Sequence, residues 1–307
     1  MAHKRAKPCA VTHNKQHTTM HTDHNIKKQA LADAWATLHA HANSGEALRK
    51  DAYRLAFADP EFLMRNETRG VRLQLEMAKP DLTQQALGID HTIVVFGSAR
   101  FKDQATADAL QQGAQASGDV AAQAIAERLQ RNARYYEAAR SFAYTVAQYS
   151  QAQAPDNRLF ICTGGGPGIM EAANRGASEA GAPTVGLNIA LPHEQSANPY
   201  VSPELNFKFH YFALRKMHFM MRAKALLAFP GGFGTLDELF EVITLVQCKK
   251  AKAVPIVLFG TDYWKRLINL DVLLEEGTIS AEDVELITYV DTPEDAWNAI
   301  KRFYNLT

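Results

Sequence analysis

Cysteine is scarce in this chain: Cys9, Cys162 and Cys248 are its whole complement. They are far apart and odd in number, so neither a disulfide framework nor a zinc site is indicated. Charge of either sign is not in excess, because 33 Lys and Arg balance 33 Asp and Glu. No global field therefore draws the protein to nucleic acid or to an anionic membrane. No apolar run approaches the length of a membrane span, and the polar N-terminus does not resemble a secretory signal. These absences lead us to expect a soluble, cytoplasmic protein with neither nucleic acid nor membrane as a partner. What is present is apolar residue, at 47% of 307, enough for one large α/β domain or a domain with an extension.

Three segments differ in pattern. Residues 1–26 are polar, rich in His, Lys and Thr, and without periodicity, which reads as a disordered tail. Its His13, His17, His21 and His24 are irregularly spaced and read as solvated, not as a metal site. Residues 27–88 read as a helical extension, with breaks expected near Asn43-Ser44-Gly45, Asp59-Pro60 and Lys79-Pro80. Residues 89–307 alternate short apolar strands with helices. The strands expected are Thr92–Phe96, Leu159–Cys162, Thr184–Asn188, 206–211, 225–229, Pro255–Phe259 and Ile287–Val290. Between the first two lies an Ala- and Gln-rich helical stretch, 104–150, interrupted at Gly113 and at Ser117-Gly118. A helix with Pro167 near its first position is expected to stop at Gly181. The fold class expected is α/β, a doubly wound, mostly parallel Rossmann-like sheet with helices on both faces.

Ligands of such sheets bind at the carboxyl ends of the strands, and three glycine turns fall there: Gly97-Ser98, Gly164 to Gly168, and Gly231 to Gly234. The last belongs to Pro230-Gly-Gly-Phe-Gly-Thr-Leu-Asp-Glu238, a strand–turn–helix junction that offers backbone N–H groups to an anion. No Lys-Ser/Thr follows the glycines, so this is no P-loop, and the ribose-binding acid of the dinucleotide fingerprint is missing. A monophosphate fits these short cradles better than ATP or NAD.

Glu238 has two readings. With Thr235 it spells a capping box, which pattern alone favours; alternatively its carboxylate faces a ligand's sugar. Arg215 and Arg222 lie two turns apart on one helix face with His218 between them. The plain reading there is an amphipathic helix with a wet basic side and Met and Phe in the core. The position of this helix, just ahead of the strand that feeds the cradle, raises the functional one. Glu171 is explained by its helix N-terminus, and Lys249, Lys250 and Lys252 by a solvated surface.

Taken together, Arg215-Lys216, the 230–238 motif, Gly97-Ser98 and Thr163-Gly-Gly-Gly-Pro-Gly-Ile-Met-Glu171 resemble the LOG (Lonely Guy) family, long mislabelled as lysine decarboxylases. The resemblance covers roughly residues 90–300, and is nearest the longer bacterial branch. It implies hydrolysis of a nucleoside 5′-monophosphate to free base and ribose 5-phosphate, with no metal and no cofactor. AMP is the simplest substrate, with cytokinin ribotides the other candidates. By position it makes Arg215 and Glu238 the catalytic pair. Gly231, Gly232, Gly234 and Thr235 would hold the phosphate, while Gly97, Ser98, Gly164, Gly165, Gly166 and Gly168 line the site and Lys216 and Arg222 add substrate contacts. It also implies a homodimer or larger homo-oligomer. Tyr211-Phe212-Ala213-Leu214 departs from the Asp-Met-His-like segment of the short plant-type members, so the base is not fixed. The competing class is a non-catalytic nucleotide or molybdenum-cofactor carrier of the same fold, which needs only the phosphate site.

Overall fold

The computed structural model describes Ala36, residues 55–191 and residues 196–306. The polar tail with its four histidines, the expected break at 43–45, and residues 192–195 lie outside them. The chain divides into two compact units after Thr68. In the first, Asp59 caps the one-turn helix Pro60–Leu63, with proline at its first position, as the Asp59-Pro60 break anticipates.

The second unit begins with helix α1, Arg69–Ala86. Its seven strands are β1 (Thr92–Phe96), β2 (Phe160–Thr163), β3 (Val185–Ile189), β4 (Asn206–Phe209), β5 (Ala223–Ala228), β6 (Ile256–Phe259) and β7 (Ile287–Val290). The helices that follow α1 are α2 (Gln104–Ser117), α3 (Val120–Gln151), α4 (Ile169–Glu179), α5 (Phe212–Met221) and α6 (Phe233–Gln247). Short α7 (Thr261–Leu267), α8 (Leu270–Glu275) and α9 (Ala281–Val284) precede the last helix, α10 (Pro293–Tyr304). The sheet is parallel throughout, in the order β4-β3-β2-β1-β5-β6-β7. From β1 the chain winds outward to β4, then returns to β1's other side and winds outward again. Winding therefore reverses between β1 and β5, where such sheets open a crevice at the strand ends.

Both faces of the sheet are covered, so β1 is apolar at all but one position and buried at every one, with successive side chains serving opposite cores. Ile93 and Val95 pack under α3, α4 and α10 with Phe142, Ile169 and Trp297. Val94 and Phe96 pack on the other side with Phe219 of α5, Leu239 of α6 and Trp264 of α7. The edge strand β4 alternates exposed Asn206 and Lys208 with buried Phe207 and Phe209, leaving a lysine where an unpaired edge would invite another strand.

Two expected interruptions and one expected helix start fall differently. Gly113 lies inside α2, and the break is at Gly118 alone, the second expected position, whose left-handed φ of 68° ends that helix before Asp119 caps α3. Pro167 precedes α4, which starts only after Gly168. Pro80 does not break α1 but sits within it. A proline removes the N–H that would bond the carbonyl four residues back, here that of Glu76. His218 of α5 replaces it, its Nε2 standing 3.2 Å from the Glu76 oxygen. A carbonyl only accepts, so Nε2 carries the proton, and burial lowers the imidazole's pKa. The Glu76 carboxylate in turn accepts from the N–H groups of His210 and Tyr211, at the start of α5. Helix α1 is thus fastened to α5 through the carbonyl that the proline released and the carboxylate of the same residue.

Helices α3 and α4 approach closely at Gly176, where a Cβ would collide with the Arg140 carbonyl oxygen and stand 2.8 Å from its carbon. Alanine gains up to about 1 kcal/mol in a helix interior, but overpacking against backbone costs about 1–3 kcal/mol. We expect Gly176→Ala to lower the unfolding free energy in urea titrations. Stability equal to or above wild type would show that the two helices can part at no cost.

Candidate active site

The loops that leave β1, β2 and β5 meet at the reversal point. Ser98 donates its N–H to the Pro230 carbonyl at 3.0 Å, and Ile169 donates to Ser98 at 3.1 Å. No room is left for side chains between them. A Cβ on Gly97 would stand 2.7 Å from Ile169, and one on Gly168, already at φ 71°, would strike the Ser98 carbonyl. Several of the loops' carbonyl oxygens are taken up by protein donors. Tyr263 Oη bonds Gly231 at 2.6 Å, while the Asn198 N–H and Nδ2 bond Gly165 and Gly166 at 2.8 and 3.0 Å. Asn198 is itself held by Asn174, which Thr163 and Thr184 also bond, a buried polar network with its partners supplied. With these carbonyls occupied, the N–H groups of the turns are the groups suited to meet an anion.

A cleft of 960 Å³ opens over these loops. Gly97, Ser98, Gly164, Gly166, Arg215, Gly231, Gly232, Gly234, Thr235 and Glu238 all line it, bringing together most of the residues that the sequence marks. The first N–H groups of α6 have no acceptor within the helix and belong to Phe233, Gly234 and Thr235 at the cleft wall. The capping box between Thr235 and Glu238 does not form. Gly232 is the N-cap, with no side-chain cap, and Thr235 lies in the first turn with its side chain against Gly231. Helix α6 starts one turn earlier than the box requires, which frees Glu238 from the backbone.

Glu238 pairs with Arg215 instead, Oε1 to Nη1 at 3.1 Å, with the two side chains 12% and 10% exposed. Arg215 is fixed on its other sides. Its Nε donates to the Leu187 carbonyl at 2.6 Å, its guanidinium lies 5.0 Å from the Phe219 ring centre, and Nη2 fills the space that a Cβ on Gly164 would need. Helix α5 therefore buries Arg215, His218 and Phe219, while Met217 and Met221 are exposed, the reverse of the wet basic face expected. Burial pushes the Glu238 carboxyl up to about 7, with Arg215 pulling the other way, and burial also lowers the Arg215 guanidinium. A carboxyl poised there can exchange a proton near neutral pH.

Four marked residues do not reach the cleft. Gly165 and Gly168, both at positive φ, shape the turn behind it. Lys216 points away, bonding Asp237 at 2.8 Å and Glu241 at 3.1 Å. Arg222 sits beyond the other end of the sheet, next to the start of β5, where it bonds the Ile89 and Asp81 carbonyls and the Asp81 carboxylate. It is a clamp for α1 and not a ligand contact. Glu171 accepts from Tyr136 Oη at 2.9 Å, and Lys249, Lys250 and Lys252 are exposed as expected. Sequence reasoning missed Arg100, Asn188, Tyr263 and, on α3, Arg128, Arg131 and Arg134, which also line the cleft. The arginines of α3 recur every third residue, a one-face signal that the Ala- and Gln-rich background hid.

Residues 170–300 match the family model described as "Possible lysine decarboxylase". Two curated relatives are the cytokinin riboside 5′-monophosphate phosphoribohydrolases LOG3 of Arabidopsis thaliana and LOG of Oryza sativa subsp. japonica. The first is 28% identical over 46% of this chain and 65% of its own; the second is 33% identical over 40% and 51%. The chain is similar to LOG-family proteins. It spans less than two thirds of the length of the LOG relatives named here. Two similar solved structures are a molybdenum cofactor binding protein from Rippkaea orientalis and the molybdenum cofactor carrier protein from Chlamydomonas reinhardtii. Both are 17% identical, with TM-scores of 0.41 and 0.38, and they cover 70% and 71% of this chain and 98% of theirs. Among the described residues, no helix is long and apolar enough to cross a membrane, and no three His, Cys, Asp or Glu side chains group as metal ligands.

The raised Glu238 carboxyl has a sign that can be measured. In the folded chain it binds its proton more tightly than in the unfolded chain, where the ordinary value is 4.5. Stability is therefore fullest below that value and falls as pH rises towards about 7. Urea titrations from about pH 5 to about pH 8 should show Glu238→Gln losing that part of the decline. An identical decline in both proteins is incompatible with a buried, protonatable Glu238.

Proposed function

We propose that this protein hydrolyses the N-glycosidic bond of a nucleoside 5′-monophosphate, AMP or a cytokinin riboside monophosphate, to free base and ribose 5-phosphate. The observation that carries this reading is the buried Arg215–Glu238 pair beside the N–H cradle at the start of α6. The cradle of residues 231–235 takes the phosphate and so fixes the ribose. As the bond from C1′ to the base nitrogen breaks, positive charge grows on the ribose, and the Glu238 carboxylate stabilises it. A water adds its oxygen to C1′. The proton that Glu238 takes from the water balances the one the departing base takes up. Arg215 keeps the carboxylate oriented and has donors to spare for substrate oxygens. The names of the curated relatives support the substrate class. A carrier needs only the cradle and gives the buried pair no task.

The test is release of base, followed by chromatography, from nucleoside monophosphates incubated with the full chain. Glu238→Gln should lower kcat by about 10²–10³ while nucleotide binding stays within about threefold. Because the ionised form acts, kcat/KM should climb as pH rises through about 7. Binding without base release from any monophosphate would falsify the hydrolase and leave the carrier.

A homodimer belongs to the same proposal. Met217 and Met221 on α5 and Phe240 on α6 are 49%, 43% and 40% exposed, on helices joined by the Lys216–Asp237 pair. A second copy would cover them. Sedimentation at micromolar concentration should give twice the 34.0 kDa of one chain, and a monomer there overturns this part.

A further inference from the structure

The charge lining the cleft exceeds what the proposed substrate needs. Six arginines and two carboxylates line it, and both carboxylates are spoken for: Glu238 by Arg215, and Asp262 by Arg266 at 3.2 Å. That leaves Arg100, Arg128, Arg131 and Arg134. Among the described residues none of the four has an ion-pair partner, and only Arg134 makes a side-chain hydrogen bond, to the neutral Tyr135 hydroxyl.

Three of them form one wall. Arg128, Arg131 and Arg134 recur every third residue on α3, so they follow one another over about 9 Å of helix. The inner side of the same stretch is buried through Ala126 and Ala133, which holds the row in place. Glu127 lies four residues before Arg131, at the spacing of a helix ion pair, yet forms none with it. Like charges gathered in a concave space repel, and the arrangement is relieved by an anion that several guanidinium groups can bond at once.

The monophosphate is already provided for elsewhere. The cradle offers the N–H groups at the start of α6, about a hundred residues after the arginines of α3 and independent of them. The cleft, at 960 Å³, stands at the upper end of the roughly 300–1,000 Å³ range of small-molecule sites. Space and charge are thus both in surplus over one phosphate.

We propose that Arg128 and Arg131, with Arg100 and Arg134 beside them, form a second phosphate subsite, so that the cleft takes a nucleotide bearing two phosphoryl groups more tightly than a monophosphate. This rests on reading residues 231–235 as the first phosphate site. A nucleoside 5′-diphosphate and a nucleoside 3′,5′-bisphosphate share the required chemistry and differ in how far apart they hold their phosphates.

The experiment is calorimetric titration of the full chain carrying Glu238→Gln, chosen to slow turnover, with AMP, ADP and adenosine 3′,5′-bisphosphate. At least one of the two doubly phosphorylated nucleotides should bind about tenfold more tightly than AMP. Adding Arg128→Ala and Arg131→Ala should erase that preference and change AMP affinity less than about twofold. Both side chains are exposed, and thermal unfolding of the variant verifies that it folds. Whichever nucleotide shows the gain identifies the phosphate spacing. The proposal is overturned if neither is preferred to AMP, or if the double substitution weakens all three equally. It is also overturned if the substitution dissociates an oligomer and leaves nucleotide affinities unchanged, since the arginines would then serve a second copy. Base release from AMP by the wild-type chain tests the hydrolase separately, so either reading can fail alone.

Discussion

The structure depends on how close the backbone turns after β1, β2 and β5 come to one another. The Ser98–Pro230 and Ile169–Ser98 hydrogen bonds join three loops from strands far apart in sequence, and no Cβ fits at Gly97 or Gly168 between them. This packing fixes where α4 and α6 begin. The start of α6 in turn decides that Glu238 points at Arg215 and not back at its own helix. Most glycines in the three motifs therefore serve backbone-to-backbone or backbone-to-side-chain contact first. Their openness to a phosphate follows from that.

The buried pair shows the same economy. Burying a carboxylate and a guanidinium is costly unless their remaining hydrogen-bonding capacity is used. Arg215 meets that condition through Leu187 and Phe219, which come from β3 and from its own helix. Glu238 meets it less fully, and its raised pKa expresses the deficit. A fully satisfied carboxylate would be held as a permanent anion; this one is left able to gain and lose a proton.

The strands were legible because they are buried on both faces and stand out as short apolar runs; Thr92–Phe96 and Ile287–Val290 match to the residue. The glycine turns were legible because the fold has few alternatives at those points. Helix starts were less so. Thr235 and Glu238 have the spacing of a capping box, and nothing local says that Gly232 has already begun the helix. Arg222 shares a helix face with Arg215 in sequence, yet the helix ends at Met221, and the chain carries Arg222 to the far end of the sheet. Pro80 read as a stop because its compensation comes from His218, more than a hundred residues away. In each case the deciding partner is distant in the chain, where periodicity and spacing do not reach.

That last contact changes where the α/β unit starts. A domain cut at residue 89, where the strands begin, would leave His218 Nε2, both Arg222 contacts to Asp81 and the N–H groups of His210 and Tyr211 without acceptors. All of these groups lie on α5 or at its ends, and α5 is the helix that aims Arg215. Helix α1 is thus less an appendage than the missing wall of a socket. A fragment without it keeps every residue of the motifs and loses the bearing of one.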